Sequence, residues 1–188
     1  MLHTLPWRHL VYGLLTVFLL SAAPVCVFAD TFSNEEIASL SQSAQSFEKA
    51  IATNDADQIA HGIPPKIWNF LIEKSKITDA QLLEGIKHSI QKSAEIVTIA
   101  SFKMNVDHAV AKQLADGFRY TLIPTDTVLT IKGAGKKIVH AQTLAFVDEG
   151  KWYLVRISDP VQTAILKLVY PSFADVEFPK EVSENMKE

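Results

Sequence analysis

The stretch IVHAQTLAFVDEGKWYLVRI, residues 138–157, decides the fold. Larger and smaller side chains alternate along its first half, which is the period of a β-strand whose two faces differ. Glu149-Gly150, between the two halves, is typical of a tight turn. We therefore predict an antiparallel hairpin, with one strand from Ile138 to Val147 and the next from Trp152 to Ile157.

Strand periodicity also occurs upstream of this hairpin. Phe102 and Met104 alternate with polar residues, and the same pattern follows Asp116-Gly117, a strong two-residue hairpin signal. Proline has no N–H to donate in a central hydrogen-bond ladder, so Pro124 predicts a bend or a sheet edge before the strand resumes over residues 127–131. The strands together predict an antiparallel meander.

The segment before the strands, residues 33–94, has helical periodicity instead, and one more helix follows the last strand. Two kinds of signal predict where the helices begin. One is a capping box, in which side chains accept hydrogen bonds from free N–H groups of the first turn, and the other is a proline or a capping aspartate at the first positions. Helices are predicted at Ser33/Glu36, Thr78/Gln81, Pro64-Pro65 and Asp159-Pro160, with a short one over Ala56–His61.

These elements predict an α+β fold, in which N-terminal helices pack on a curved antiparallel sheet and a C-terminal helix and strap follow. The strap is the segment from Tyr170 to Pro179, whose aromatic residues are expected to anchor it over the domain. We predict one domain over residues 30–180 and a charged tail over residues 181–188, which is expected to fray.

The order of elements resembles the NTF2-like (cystatin-like) superfamily. The resemblance covers residues 33–157 and rests on the amphipathic first helix, the meander from Phe102 to Ile157 and the closing strand Gly150-Lys151-Trp152-Tyr153-Leu154. It implies a cone of helices and curved sheet around a pocket. Enzymes of that superfamily use a His or Asp pair in the cone for acid–base work, but no residue of this chain maps onto such a pair.

The first 29 residues differ from the rest in composition. They contain no acidic residue and one strong base, Arg8, before a long apolar run. Together with Val27-Phe28-Ala29, which has the small residues of a signal-peptidase cleavage site, this composition is typical of a secretory signal. Cleavage is expected before Asp30. Two alternatives stay open: residues 10–29 as an uncleaved membrane anchor, and Cys26 as the acylated residue of a lipoprotein. The sequence predicts a periplasmic or secreted mature chain.

Cleavage there leaves 159 residues with 17 basic and 21 acidic side chains and no cysteine. Disulfides and thiolate catalysis are thereby excluded, and the spread of charges speaks against nucleic-acid binding, which needs a clustered basic face. The four histidines of the mature chain lack metal-ligand spacing, and no nucleophile motif occurs. The sequence therefore predicts no metal site, no cofactor and no catalytic residue.

A candidate binding face follows from strand phase in residues 138–157. Even positions of the first strand carry His140 and Gln142 among large apolar residues, whereas the odd positions are small, as on a face covered closely by helices. Arg156 shares a face with Trp152 on the second strand, and the turn is expected to bring Arg156 beside His140. Tyr120 is expected to reach the same face from a further strand.

A few polar groups on an apolar concave face are what a small-molecule pocket needs, and an arginine without an internal acid favours an anionic ligand. Two alternatives stay open at this point. One is an exposed face, because polar residues on strands are commonly solvated, and the other is a salt bridge from Arg156 to Asp148 or Glu149.

The leading functional hypothesis is an exported, non-catalytic binding or accessory protein of the cell envelope. Its partner is then an unknown small molecule or an envelope protein, contact with the membrane is confined to the signal segment, and the oligomeric state is open. The alternatives are a small-molecule enzyme with His140 or an acid in the cone, and a protein–protein module such as an inhibitor or assembly factor.

Overall fold

The computed structural model describes residues 31–186, so the predicted signal segment lies outside the described residues. Residues 31–186 contain five α-helices and six strands, with helices first and the main sheet second as the sequence predicts, whereas the short strands β2 and β6 were not predicted. The helices are α1 Asn34–Ala52, α2 Ala56–His61, α3 Pro65–Ser75, α4 Asp79–Ala94 and α5 Pro160–Val169. The strands are β1 Val97–Met104, β2 Lys112–Gln113, β3 Arg119–Ile131, β4 Gly135–Asp148, β5 Lys151–Arg156 and β6 Val182–Asn185.

The sheet is antiparallel throughout and curls into a half-barrel. Its main path runs β1-β3-β4-β5, while β2 adds to β3 and β6 adds to β4. The predicted α+β class, with helices packed on a curved antiparallel sheet, is confirmed. The turn between β4 and β5 uses Glu149 and Gly150, both at positive φ, as a tight hairpin requires.

Helix starts agree closely with the capping signals. Ser33 and Glu36 form a complete capping box at α1, and Thr78 and Gln81 form another at α4. Asp159 caps α5 by accepting hydrogen bonds from two backbone N–H groups of the first turn. These contacts involve residues two or three positions apart, so the sequence alone specifies them.

The expected break in the strand at Pro124 is wrong, because β3 runs continuously from Arg119 to Ile131. The alternative expectation, a sheet edge, agrees with the structure, because the pairing of β1 with β3 ends at Met104 and Thr125. Pro124 pairs with Gln142 of β4, and its carbonyl accepts from the Asn105 N–H on the opposite side. The nitrogen of a strand residue points to the same side as its carbonyl, here toward the place where β1 ends at Met104. A central strand therefore tolerates proline at this position.

The two faces of the sheet carry two separate cores. On the α1 face, named for the helix that covers it, Leu40 and Ala44 of α1 pack on Ala145. On the aromatic face, Phe146 packs with Phe173 from the strap. Ala145, one of the small odd positions of β4, thus lies under a closely packed helix, as predicted.

The C-terminal segments are more ordered in their contacts than the sequence suggests. Tyr170 and Phe173 are buried and anchor the strap on the aromatic face, as predicted. The tail that was expected to fray instead forms β6, which pairs with the first half of β4 where β5 does not reach. The alternation needed for a strand is too short over Val182–Asn185 to be recognised among charged residues. None of the helices within residues 31–186 combines the length and apolar character needed to cross a membrane.

Candidate functional site

A cavity of about 600 Å³ lies between the α1 face of the sheet and the helices, and it also reaches Ile67, Leu71 and Ile165 at the border of the aromatic core. The sheet contributes residues from β1, β3 and β5, among them Ile99, Leu129 and Leu154, and all five helices contribute side chains. Most of the lining is aliphatic, with isoleucine the commonest residue. The size and apolar character are those of a small-molecule pocket.

Helix α4 explains why this space stays open. It is strongly amphipathic, with Ile86 and Ile90 in its apolar stripe, but not one of its residues is fully buried. That stripe faces the cavity rather than a packed core. Ser89 and Ser93 line the cavity and are also solvent exposed, so the cavity opens along α4. An apolar helix stripe without a close-packed partner is costly unless something else covers it.

Arg156, at the end of β5, lines this cavity. Its partner across the sheet is Thr143, an odd position of β4, so its side chain lies on the α1 face. Among the described residues that line the cavity, it is the only charged one. Within residues 31–186 its guanidinium forms no ion pair and no hydrogen bond.

The expected grouping of His140, Gln142 and Arg156 on one face is wrong. The hairpin pairs Asp148 with Lys151 and Thr143 with Arg156, so even positions of β4 lie opposite odd positions of β5. His140 and Gln142 therefore lie on the aromatic face and Arg156 on the α1 face. The turn pairs Arg156 with Thr143 instead of bringing it beside His140, and the parity of this pairing decides which side chains share a face.

His140 makes a different contact, on the side of the sheet away from the cavity. Its Nδ1 lies 2.6 Å from Oδ1 of Asp126, the residue directly across on β3. Both side chains are exposed, at 45% and 60%. A carboxylate on Nδ1 fixes the orientation of the imidazole, but this pair does not line the cavity. A role of His140 inside the cone is therefore ruled out by geometry.

Tyr120 and Trp152 lie on opposite faces as well. Tyr120 is buried on the aromatic face, where its ring and that of Phe173 meet edge to face with their centroids 5.3 Å apart. Burial raises the pKa of its hydroxyl. Trp152 is buried on the α1 face against Phe32, with the ring centroids 5.4 Å apart, and borders a smaller hollow of about 280 Å³. Both are core residues, and ligand binding by either stays a prediction.

The predicted alternative for Arg156, a salt bridge to Asp148, is not what the structure contains. Asp148 instead accepts hydrogen bonds from the Tyr170 hydroxyl at 2.7 Å and from Lys66 Nζ at 3.2 Å. Burial, followed by the hydrogen bond to Asp148, raises the pKa of Tyr170 far above its usual value. This network joins α3, β4 and the end of α5 on the aromatic face.

The other arginine of the described residues has a structural role. Arg119 Nη1 donates to Glu36 Oε1 at 2.7 Å and lies over the ring of Phe32, which ties the start of α1 to β3. The hydrogen bond from the Ser33 N–H is the largest cause of a lowered pKa at Glu36, and Arg119 lowers it further. The two arginines therefore differ in their surroundings, since Arg119 pairs with an acid and Arg156 lines the cavity, and the sequence alone does not distinguish them.

Sequence reasoning missed the wall formed by α4. The signal was present, since Ile86 and Ile90 share the stripe with Ser89 and Ser93 beside them. Periodicity predicts that such a stripe is covered, but it does not tell whether protein or ligand covers it. Across residues 31–186, no group of three or more His, Cys, Asp or Glu side chains is placed to hold a metal ion.

Fold and cavity together describe an α+β half-barrel with one large apolar pocket between sheet and helices. Comparisons of the chain with protein-family models, with curated proteins and with solved structures gave no significant match.

Proposed function

We propose that this chain is an exported, non-catalytic protein that binds an apolar small molecule in the cavity beneath α4. One observation carries the proposal: the apolar stripe of α4 faces about 600 Å³ of space that no side chain fills. An aliphatic ligand would cover Ile86 and Ile90 and would gain roughly 25 cal/mol for each square ångström of apolar surface removed from water.

The composition of the cavity favours binding over the alternatives. Aliphatic walls supply affinity, and a small number of polar side chains, such as Ser89, Thr127 and Gln162, are available to orient a ligand. The enzyme hypothesis needs His140 or an acid in the cone, but His140 lies on the other face of the sheet and the described lining of the cavity contains no Asp or Glu. An open cavity also favours a ligand over a protein partner, for which a filled cone and a broad exposed sheet face are expected.

The binding test uses N-phenylnaphthylamine, a neutral probe whose fluorescence rises in apolar surroundings. Titration of the chain from Asp30 with this probe is expected to give a saturable rise. Ser89→Phe, which places a ring in the cavity, is expected to weaken binding about tenfold, a change of about 1.4 kcal/mol. Gln91→Phe, also exposed on α4 but outside the lining, is the matched control and is expected to bind as the unmodified chain does.

Two results would overturn the proposal. One is the absence of a saturable signal from a chain whose unfolding transition is cooperative. The other is an equal effect of both phenylalanine variants, which would place the probe on the outer surface of α4 rather than in the cavity.

Export is the second part of the proposal and rests on the composition of residues 1–29. N-terminal sequencing of the protein from the cell envelope is expected to begin at Asp30. A chain that keeps Met1 and sediments with membranes would contradict cleavage and support an anchor over residues 10–29.

A further inference from the structure

We propose that the ligand is an aliphatic carboxylate, whose tail occupies the cavity and whose carboxylate is bound by Arg156. This inference rests on the proposed binding function and names the class of ligand. It follows from one contrast inside the cavity, where a single cation stands among aliphatic side chains.

The position of Arg156 supports an interaction with a ligand. A partly buried guanidinium is normally satisfied by an acid, because removing its charge from water is costly. Asp159, three residues further along the chain, caps α5, and Asp148, at the other end of the β4–β5 ladder, is held by Lys66 and Tyr170. By contrast Arg119, the other described arginine, has Glu36 as its partner.

The charge of the site favours a monoanion. One guanidinium balances one negative charge, and its planar fork matches the two oxygens of a carboxylate. A phosphate dianion would leave excess negative charge beside aliphatic walls, which is unfavourable in a poorly solvated site. A quaternary ammonium would be repelled by Arg156.

The extent of the cavity favours a long tail. Its lining includes Ile99 on β1 and Arg156 on β5, the two ends of the main path of the sheet. Neighbouring strands lie about 4.8 Å apart, so the three spacings between these strands amount to roughly 14 Å along the curved sheet. That distance accommodates an extended hydrocarbon chain with its carboxylate at the β5 end.

The experiment compares four probes that share one tail: dodecanoate, dodecanol, dodecyl phosphate and dodecyltrimethylammonium. Each competes with N-phenylnaphthylamine at neutral pH and below its micelle-forming concentration. Dodecanoate is expected to bind best, about tenfold more tightly than dodecanol, a difference of about 1.4 kcal/mol, because its charged carboxylate hydrogen-bonds with Arg156.

Variants of Arg156 assign the preference to this side chain. Arg156→Gln is expected to remove the advantage of dodecanoate over dodecanol and to leave dodecanol binding within about twofold, whereas Arg156→Lys is expected to keep part of the advantage. Lys132→Gln, at the exposed β3–β4 turn, removes the same charge outside the cavity and is expected to change nothing.

The outcomes separate this inference from the proposed function. Failure of all four compounds to displace saturably bound N-phenylnaphthylamine would overturn the aliphatic ligand but leave the binding function, which fails only if N-phenylnaphthylamine itself does not bind. Equal affinity for dodecanoate and dodecanol would overturn the role of Arg156 but leave an apolar binding protein. Preference for dodecyl phosphate over dodecanoate would overturn the carboxylate, and an unchanged preference in Arg156→Gln would place the anion site elsewhere.

Discussion

The two faces of the sheet are filled differently. On the aromatic face, Phe146 and Phe173 have no solvent exposure and their rings lie 5.8 Å apart. On the α1 face, α1 packs tightly near Ala145, but α4 stands off and leaves the cavity open. The aromatic face is therefore filled by packed rings, whereas the α1 face leaves aliphatic surface that a ligand is able to cover. Stability is expected to reside mainly in the first and binding in the second.

The largest expected effect is on the aromatic face. Phe146→Ala is expected to lower the free energy of unfolding by about 3–5 kcal/mol, because it empties a fully buried ring site surrounded by other rings. Its sequence neighbour Val147 is 40% exposed, and Val147→Ala serves as the control with an expected loss below about 1 kcal/mol. Urea unfolding measures both. Equal losses would remove the distinction between the faces.

The next effect concerns the hydrogen bond from Tyr170 to Asp148. Tyr170→Phe is expected to cost about 1.5–3 kcal/mol at neutral pH, since it leaves a buried carboxylate with Lys66 alone. The folded-state pKa of Tyr170 is raised, so its contribution is complete below the unfolded pKa of about 10 and is lost as the pH rises above that value. The difference in the free energy of unfolding between the unmodified chain and Tyr170→Phe should therefore shrink at pH values above about 10. A difference that is constant with pH would contradict the raised pKa.

A smaller effect is expected in the cavity wall. Ile90→Ala is expected to cost about 1 kcal/mol, well below the usual range for a buried isoleucine, because Ile90 is only half-buried and borders open space. Thermal or urea unfolding without ligand provides the value. A loss as large as that of Phe146→Ala would show that α4 is packed on a filled core in solution.

The smallest effect is expected at Arg156. Arg156→Gln is expected to leave the free energy of unfolding within about 0.5 kcal/mol, since the side chain has no ion pair or hydrogen bond within residues 31–186. Arg119→Gln breaks the ion pair with Glu36 and is expected to cost more, about 1 kcal/mol. The reverse order would mean that Arg156 is a structural residue.

Local signals were sufficient for most of the fold. The capping boxes at Ser33 and Thr78 and the turn at Glu149-Gly150 involve residues close in the chain, so they can be predicted without knowledge of the tertiary structure. The strand through Pro124 was not predictable, because its tolerance depends on where a different strand, β1, ends. β6 likewise depends on the edge of β4 that β5 leaves uncovered.

The candidate site was only half predictable. Strand phase placed Arg156 with Leu154 correctly, and both line the cavity. The link to His140 failed because the hairpin pairs even positions of β4 with odd positions of β5, so His140 and Arg156 lie on opposite faces of the sheet. The role of α4 depends on the distance between a helix and a sheet, which the sequence period does not encode.

The most direct test of the central claim is an isoleucine-methyl NMR titration with dodecanoate, since isoleucines mark both faces of the sheet. The account predicts that the methyl signals of Ile86, Ile90 and Ile99, which line the cavity, shift as dodecanoate saturates. The signal of Ile157, buried in the aromatic core, should stay in place. Shifts at Ile138 and Ile157 with unmoved cavity methyls would contradict the account and place binding on the aromatic face.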